Sequence, residues 1–382
     1  MKFFHLSDLH IGIKLKERDL SEDQIYIFKQ ICEMAKAEQP DAVVIAGDIY
    51  DRSMPSAEAV ELFNQFITSL NKAVPNAYIM MISGNHDNIS RIDNFRNILS
   101  EQKIYMIGRP PIREDEYIEK VTMNDEHGKV NFYLLPFVKP SMIRLIVGTD
   151  ENGNSLSYDE AIHRLINRED INENERNVLV SHQFYLPIGK NADEVERMES
   201  EIRSAGNIDH VNADILEKFD YAALGHIHKP MKVGSEYYRY SGTPFAYSVS
   251  ESGQQKSIIV VEMNEKGDVK TRNLELKPLH AVRVIKGLYE DVLKEASEDY
   301  VKVILTDKED LNVIDMQDRL RVAFPRLLYI ERENIRELNF DLKGEAIDEM
   351  DVFELCKAFL NDLNDEELKI LQEVIDEVGG ER

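Results

Sequence analysis

Long apolar runs are missing from this chain. The longest stretches, around Ile79-Met80-Met81-Ile82 and Ile258-Ile259-Val260-Val261, are strand-sized, far short of the roughly 20 residues a helix needs to cross a bilayer. The N-terminal residues start apolar, but Asp8 and His10 interrupt them too early for a secretory signal. No membrane association is expected. Cysteine is scarce as well. Cys32 and Cys356 each sit among helical apolar positions, which reads as buried free thiols rather than a disulfide and points to a reducing, cytoplasmic setting. The third shortage is positive charge. Lys and Arg total 46 against 71 Asp and Glu, a net charge of −25, whereas a nucleic-acid binder normally carries a basic footprint. Residues 341–382 hold 14 acidic and 4 basic residues, yet the other 340 still carry −15. DNA fits as a substrate only if bound cations offset the repulsion and a second protein supplies most of the phosphate-binding surface.

What is present is a globular composition, 43% apolar and 31% charged over 382 residues, enough for two or three domains. Strand and helix signals alternate over the first 275 residues or so. Phe3 to Leu6, Ala42 to Ala46, Tyr78 to Ile82, Asn177 to Val180 and Tyr221 to Leu224 read as strands. A helix is expected behind a Ser21/Gln24 capping box, with Ile27, Phe28, Ile31, Met34 and Ala35 on one face. Another starts at Pro55-Ser56, with Leu62, Phe63, Phe66, Ile67 and Leu70 as its stripe. Lys256 to Leu276 reads as a hairpin turning at Asn264–Gly267. Beyond Pro278, three strands (Val282 to Ile285, Tyr300 to Thr306, Leu327 to Glu331) alternate with helical segments at Tyr289 to Ala296 and Ile314 to Phe324. Two amphipathic helices close the chain, with expected caps at Asp351/Glu354 and Asn364/Glu367. The expected division is 1–277, 278–344 and 345–382.

Polar motifs follow the apolar strands, where α/β sheets place active sites. They are Asp8-Leu9-His10, Gly47-Asp48 with Asp51-Arg52, Gly84-Asn85-His86-Asp87, Ser181-His182 and Gly225-His226-Ile227-His228, and they hold five of the ten histidines. A lone Asp-x-His is more often a loop or capping pair, and a lone Gly-His-x-His a packed turn. The ordered set at successive strand ends is what carries a metal reading. Residues i and i+2 at a strand end point the same way, so Asp8 with His10, and His226 with His228, can reach one ion or two adjacent ones. Asp48 can bridge two ions, Asn85 offers a carbonyl oxygen and His182 an imidazole. Mixed oxygen and nitrogen donors without Cys argue for manganese, with iron or zinc as alternatives and magnesium alone disfavoured. Such a pair of ions points to hydrolysis of phosphate esters. His86, beside Asn85 and not needed as a ligand, is the candidate acid or transition-state stabiliser. His127, His163, His210 and His280 read as surface or structural residues, and His5 lies in the first strand.

This set resembles the calcineurin-like metallophosphoesterase superfamily over roughly the first 275 residues. Within it, the chain is similar to the DNA nucleases that work with a coiled-coil ATPase. Asp8-Leu9-His10-Ile11-Gly12, Gly47-Asp48-Ile49-Tyr50-Asp51-Arg52 with Pro55-Ser56, Gly84-Asn85-His86-Asp87, Gly225-His226-Ile227-His228 and Ser241-Gly242-Thr243-Pro244 carry the likeness. The resemblance implies an α/β fold: a metallophosphoesterase β-sandwich flanked by helices, a small α/β capping domain and a C-terminal helical pair. It implies that Asp8, His10, Asp48 and His228 hold one Mn2+ and that Asp48, Asn85, His182 and His226 hold the other. It further implies 3′ to 5′ exonuclease action on double strands and endonuclease action on single strands and hairpins, in DNA end processing, repair and recombination.

By the same resemblance, archaeal and eukaryotic members usually carry His where this chain has Asp51, and bacterial members can carry Asp. Asp51 is expected either to pair with His86 and keep it protonated, as in the related protein phosphatases, or only to shape its loop. Arg52 is a candidate phosphate contact or a loop salt bridge. A homodimer is expected within a heterotetramer with the ATPase. Its contact would run along the helix after Pro55 and through Phe95, Ile98 and Leu99, and the acidic C-terminal helices would dock the coiled-coil root. Competing readings are a phosphomonoesterase or protein phosphatase, a scaffold that has lost its metals, and a related subunit serving a different ATPase.

Overall fold

The computed structural model describes residues 1–187, 189–190, 195, 197–201, 209–307, 313–333, 352–353, 356–357 and 364–379. Two six-stranded sheets stack face to face. In the first, Lys2–Leu6, Ala42–Ala46, Tyr78–Ile82 and Ile104–Ile107 run parallel. Lys2–Leu6 also pairs antiparallel with Ser257–Met263, the inner arm of a hairpin completed by Val269–Glu275. In the second, Gly128–Leu135, Arg176–Ser181, Tyr221–Leu224 and Ser235–Tyr240 run parallel, with antiparallel Glu119–Asp125 and Met231–Val233 at the edges.

Side-chain alternation along the central strands explains the layering. Phe3, Val44, Ala46, Met80 and Ile82 cluster with Phe132, Val178, Val180 and Ala223 between the sheets. Phe4, Leu6, Val43, Ile45 and Ile79 turn the other way, onto helices Ser21–Glu38 and Ala57–Ala73. The outer face of the second sheet packs on helix Tyr158–Asn167 through Ala161, Ile162, Leu165 and Ile166. Strands covered on both faces read as unbroken apolar runs, which is why Ala42-Val43-Val44-Ile45-Ala46 was legible as one.

One expected helix start is built differently. The residue flanking the first helix is Leu20, with no side-chain cap, and the Asp19 carboxylate accepts the Ser21 N–H at 2.7 Å. Gln24 does not close a capping box. It is buried and donates to the carbonyls of Leu9 (3.2 Å) and His10 (3.0 Å) while accepting the Gly12 N–H at 3.1 Å. Those loop groups have no strand partner, and an interior amide satisfies both donor and acceptor at once. The second helix starts as expected, with Ser56 Oγ accepting from Ala59 N. Its Leu62, Phe66, Ile67 and Leu70 are buried in the chain's own core, whereas Phe95 and Ile98 are 66% and 64% exposed.

Beyond residue 278, Val282–Gly287, Tyr300–Leu305 and Leu327–Arg332 form a three-stranded parallel sheet in sequence order. It packs with helix Val313–Ala323 around Ile285, Val303, Leu320 and Phe324. Asp23, fully buried, ties this sheet to the first helix: it accepts from Tyr300 Oη at 2.8 Å and from the His280 N–H at 3.1 Å. In the terminal segment, helix Asp365–Gly379 opens with the expected reciprocal box, Asn364 N to Glu367 Oε2 at 2.9 Å and Glu367 N to Asn364 Oδ1 at 3.0 Å. Most of the first helix of that pair, with its cap at Asp351 and Glu354, lies outside the described residues. Among the described residues, no helix is long and apolar enough to cross a membrane.

His5 joins the two sheets. Its Nε2 is 3.2 Å from the Leu224 carbonyl, which can only accept, so Nδ1 accepts from the Tyr221 hydroxyl at 3.0 Å. Burial pushes its pKa down to about 3. The unfolded chain therefore takes up this proton below about pH 6.5 while the folded chain does not, so stability falls as pH falls from 6.5 toward 3. We expect His5→Gln to cost about 1–2 kcal/mol at pH 8 and to flatten the decline in denaturant midpoint between pH 6.5 and 4. A variant whose midpoints run parallel to wild type would refute this account.

Candidate metal centre

The polar motifs follow the C-terminal ends of five strands, three in the first sheet and two in the second, but the turns there are not simple strand extensions. Asp8, His10, Asp48 and His226 have φ of 53°, 42°, 49° and 100°, four of the nine non-glycine residues with positive φ among the described residues. Asp8 and His10 thus converge through a left-handed reversal beyond Leu6, not by the strand alternation expected from their spacing. Such backbone typically costs 1–3 kcal/mol per residue and persists only where its surroundings over-determine it. Here loops zip together: Asp8 N donates to Gly47 O, His10 N to Asp48 O and Ile11 N to Ile49 O, all at 2.9–3.0 Å. Asp87 clamps the next loop by accepting from the N–H groups of Ile49, Tyr50 and Gly84 at 2.9–3.0 Å. Glycine is required at 47 and 84. A Cβ at Gly47, where φ is +88°, would lie 2.3 Å from His182 Nδ1, and one at Gly84 would lie 2.1 Å from Asp48 Oδ1.

All seven candidate ligands meet in one cluster, buried except for the half-buried Asn85. His10 Nε2 and His228 Nε2 are 3.1 Å apart, with His228 Nε2 4.0 Å from Asp8 Oδ1. Asn85 Oδ1 lies 3.1 Å from His182 Nε2 and 2.9 Å from His226 Nδ1. Asp48 Oδ2 sits between the two groups, 3.2 Å from His182 Nε2 and 3.6 Å from His10 Nε2. The ligand atoms of Asp8, His10 and His228 fall within 4.8 Å of one another, as do those of Asp8, Asp48 and His182. His182 Nδ1 is 2.7 Å from the Ala46 carbonyl, so Nδ1 carries a proton, and Nε2 is the nitrogen turned toward Asp48 and Asn85.

The electrostatics suit cations. Burial opposes the charge of Asp48, but the His182 imidazole beside it holds its carboxyl well below the usual range. His182 is pulled the opposite way by Asp48, against its burial, to about 9. Burial keeps His10 and His226 neutral, with pKa values well below that of free imidazole, the form in which imidazole binds metal. Buried His10 Nδ1 has no hydrogen-bond partner among the described residues. Facing lone pairs around a shared carboxylate fit divalent cations better than they fit a protein hydrogen-bond network.

His86 stands beside this cluster. Its Nδ1 is 2.7 Å from the backbone carbonyl of Asp51, so Nδ1 is the donor, and Nε2 points inward, 3.9 Å from Asp48 Oδ2. Of the two roles expected for Asp51, pairing with His86 or shaping its loop, the side chain does not make the first. That carboxylate lies 3.8 Å from His10 Nδ1 and accepts from Arg52 Nε at 3.3 Å. The tight turn at 50–52 aims the peptide carbonyl, not the side chain, at the imidazole. Arg52 is 77% exposed, at a groove of about 1080 Å³ that runs past Gly12, Lys14 and Lys16. Sequence reasoning missed Arg197, whose Nη2 is 3.2 Å from His226 Nε2, and Phe137, stacked on His226. Neither lies in a motif. Gln24 and Asp87 stood in recognised segments, but their partners become visible only in three dimensions.

Residues 1–230 match the family model of the calcineurin-like phosphoesterases. The match spans more than half of the chain, and the chain belongs to that family. Residues 278–363 match a second family, the type 5 capsule protein repressor C-terminal domain, or SbcD C-terminal domain. A phosphoesterase domain followed by this domain is the combination consistent with an SbcD nuclease subunit. Among solved structures, the chain is similar to GAP50, the anchor in the inner membrane complex of Plasmodium, at 11% identity over 88% of this chain and 98% of that one, with a TM-score of 0.40. It is also similar to a dimetal phosphatase from Danio rerio, at 11% identity over 72% of this chain and 98% of that one, with a TM-score of 0.35.

If Asp48, whose Oδ2 lies between the His10 and His182 groups, serves two cations, Asp48→Ala should empty both positions, whereas Asp51→Ala, which keeps the carbonyl that orients His86, should retain both. Metal content by plasma mass spectrometry after gel filtration checks this. Retention of bound metal by the Asp48 variant would contradict the shared role.

Proposed function

We propose that the chain is the nuclease subunit of an SbcCD-type complex, a manganese-dependent DNA phosphodiesterase active on double-stranded ends, single strands and hairpins. The observation that carries this reading is the conjunction of a carboxylate-bridged His/Asp/Asn cluster with an SbcD C-terminal domain on one chain. Asp8, His10, Asp48 and His228 would hold one cation, and Asp48, Asn85, His182 and His226 the other. Two bound cations would polarise the phosphate and lower the pKa of a water between them. The chain's own residues do the rest. Buried Asp8 and Asp48 supply the negative charge that concentrates cations in an apolar setting. His86, anchored through Nδ1 on the Asp51 carbonyl, directs Nε2 at the reacting phosphate, where it stabilises charge or gives a proton to the leaving oxygen. Arg52 contacts the phosphate at the groove mouth. Asp51 shapes the turn and faces His10 rather than His86.

The net charge of −25 leaves most of the DNA backbone contact to the partner, a cytoplasmic SbcC-like coiled-coil ATPase. Its docking site is the terminal helical segment, where Leu368, Leu371 and Ile375 recur on one side of helix Asp365–Gly379 while Ile370 and Val374 stay 60% and 51% exposed. Two nuclease subunits pair through the surface that carries Phe95 and Ile98. The domain limits of 1–277, 278–344 and 345–382 follow the same reading.

The test is cleavage of an end-labelled DNA hairpin by the purified complex in manganese, with loss in chelator. His86→Gln should keep both cations and cut about 10²–10⁴-fold more slowly. Faster turnover of a chromogenic phosphate monoester than of a diester would sink the nuclease reading in favour of a phosphatase. The assembly has its own check. The nuclease alone should scatter light as a dimer at micromolar concentration, and a chain ending at residue 344 should keep that mass and its metals but no longer co-purify with the ATPase. A monomeric mass, or undiminished co-purification, would count against the corresponding contact.

A further inference from the structure

Behind His228 lies a largely buried polar chain, of which only Thr243 stands in a recognised motif. His228 Nδ1 is 2.7 Å from Ser200 Oγ, and that hydroxyl is 2.7 Å from Glu251 Oε1. Glu251 is fully buried and accepts from four donors: Ser200 and Ser248 on one oxygen, Thr243 Oγ1 and Lys256 Nζ (2.6 Å) on the other. Lys256, 5% exposed, also reaches Thr243 Oγ1 at 2.7 Å and the His228 carbonyl at 3.3 Å. A buried ion pair adds little net stability, so one wrapped around a candidate ligand calls for another role.

The direction of the protons follows from valence. An ionised carboxylate only accepts, so the Ser200 hydroxyl donates to Glu251. With its single hydrogen committed, Ser200 must accept from His228 Nδ1–H. In the neutral imidazole the lone pair is then on Nε2, which faces Asp8 and His10. We propose that Glu251, held by Lys256 and acting through Ser200, is a positioning residue that sets the His228 tautomer and thereby builds the Asp8/His10/His228 cation position. This deepens the dinuclear reading above and rests on it. His182, at the other position, is set instead by the Ala46 carbonyl, so the Glu251 chain acts on one of the two cations. The principle is general: a partner on the far nitrogen of a ligating histidine fixes its orientation and typically contributes about 10–100-fold in metal affinity.

Titration of the full chain with MnCl2, followed by ion counting and electron paramagnetic resonance, tests it. Wild type should bind two ions with an exchange-coupled spectrum. Ser200→Ala should weaken one ion by about 10–100-fold and give the uncoupled six-line spectrum of an isolated ion at limiting manganese. Ser200→Thr, which keeps the hydroxyl, should restore the coupled pair. The double variant Glu251→Gln with Lys256→Met removes both charges without stranding either and should behave like Ser200→Ala. Two ions bound at wild-type affinity in Ser200→Ala and in the double variant overturn the positioning role and leave the dinuclear site standing. A wild-type chain that binds one ion or none overturns the dinuclear reading, and this proposal with it.

Discussion

Everything in this molecule's chemistry depends on backbone that side-chain-bearing residues adopt reluctantly. Asp8, His10, Asp48 and His226 all sit at positive φ, and none of them is a glycine that would do so freely. The conformations survive because neighbouring loops hydrogen-bond to each other residue by residue and because Asp87 and Gln24, both buried, satisfy the amides and carbonyls that the reversals leave over. The local instability is concentrated where donor atoms must converge, and the rigid sandwich beneath holds it in place.

That sandwich is also why the site is whole. Asp8, His10, Asp48 and Asn85 come from turns of the first sheet, and His182, His226 and His228 from the second. Bonds cross between the sheets at the site itself: His182 Nδ1 to the Ala46 carbonyl at 2.7 Å and His226 N to Asp8 Oδ1 at 3.0 Å. Below them, His5 reaches Tyr221 and Leu224, and Phe3 packs edge-on against Phe132 and Tyr221. Core packing and the geometry of the candidate ligands are therefore one property. A core change that slid one sheet over the other by half an ångström would move three histidines relative to two carboxylates.

Much of this was legible before any coordinates. Apolar runs such as Tyr78–Ile82 mark doubly covered strands, and the polar motif after each run marks where the chain leaves the sheet. The seven donor residues do meet. What could not be read is anything decided by the choice among hydrogen-bond partners. Gln24 had the spacing of a capping residue, but the Gly12 N–H and the carbonyls of Leu9 and His10 engage its amide instead. Asp51 had the side chain to pair with His86, but turn geometry presented its carbonyl instead. Glu251 stands in no motif and Lys256 only opens the hairpin, and the tertiary fold alone buries them against His228. One-dimensional patterns report periodicity and residue type. They do not report which of several competent partners comes within 3 Å.

A histidine steered by a main-chain oxygen is insulated from its neighbours' identity. Every amino acid at position 51 brings the same carbonyl, so substitution there cannot remove the group that fixes the tautomer of His86. The side chain at that position is thereby released to serve the opposite side of the turn, toward His10 and the groove mouth. A His or an Asp can then stand at that position without disturbing the imidazole next door. Part of the site's apparatus lies in the backbone, beyond the reach of point substitution, which leaves an adjacent side chain open to specialise.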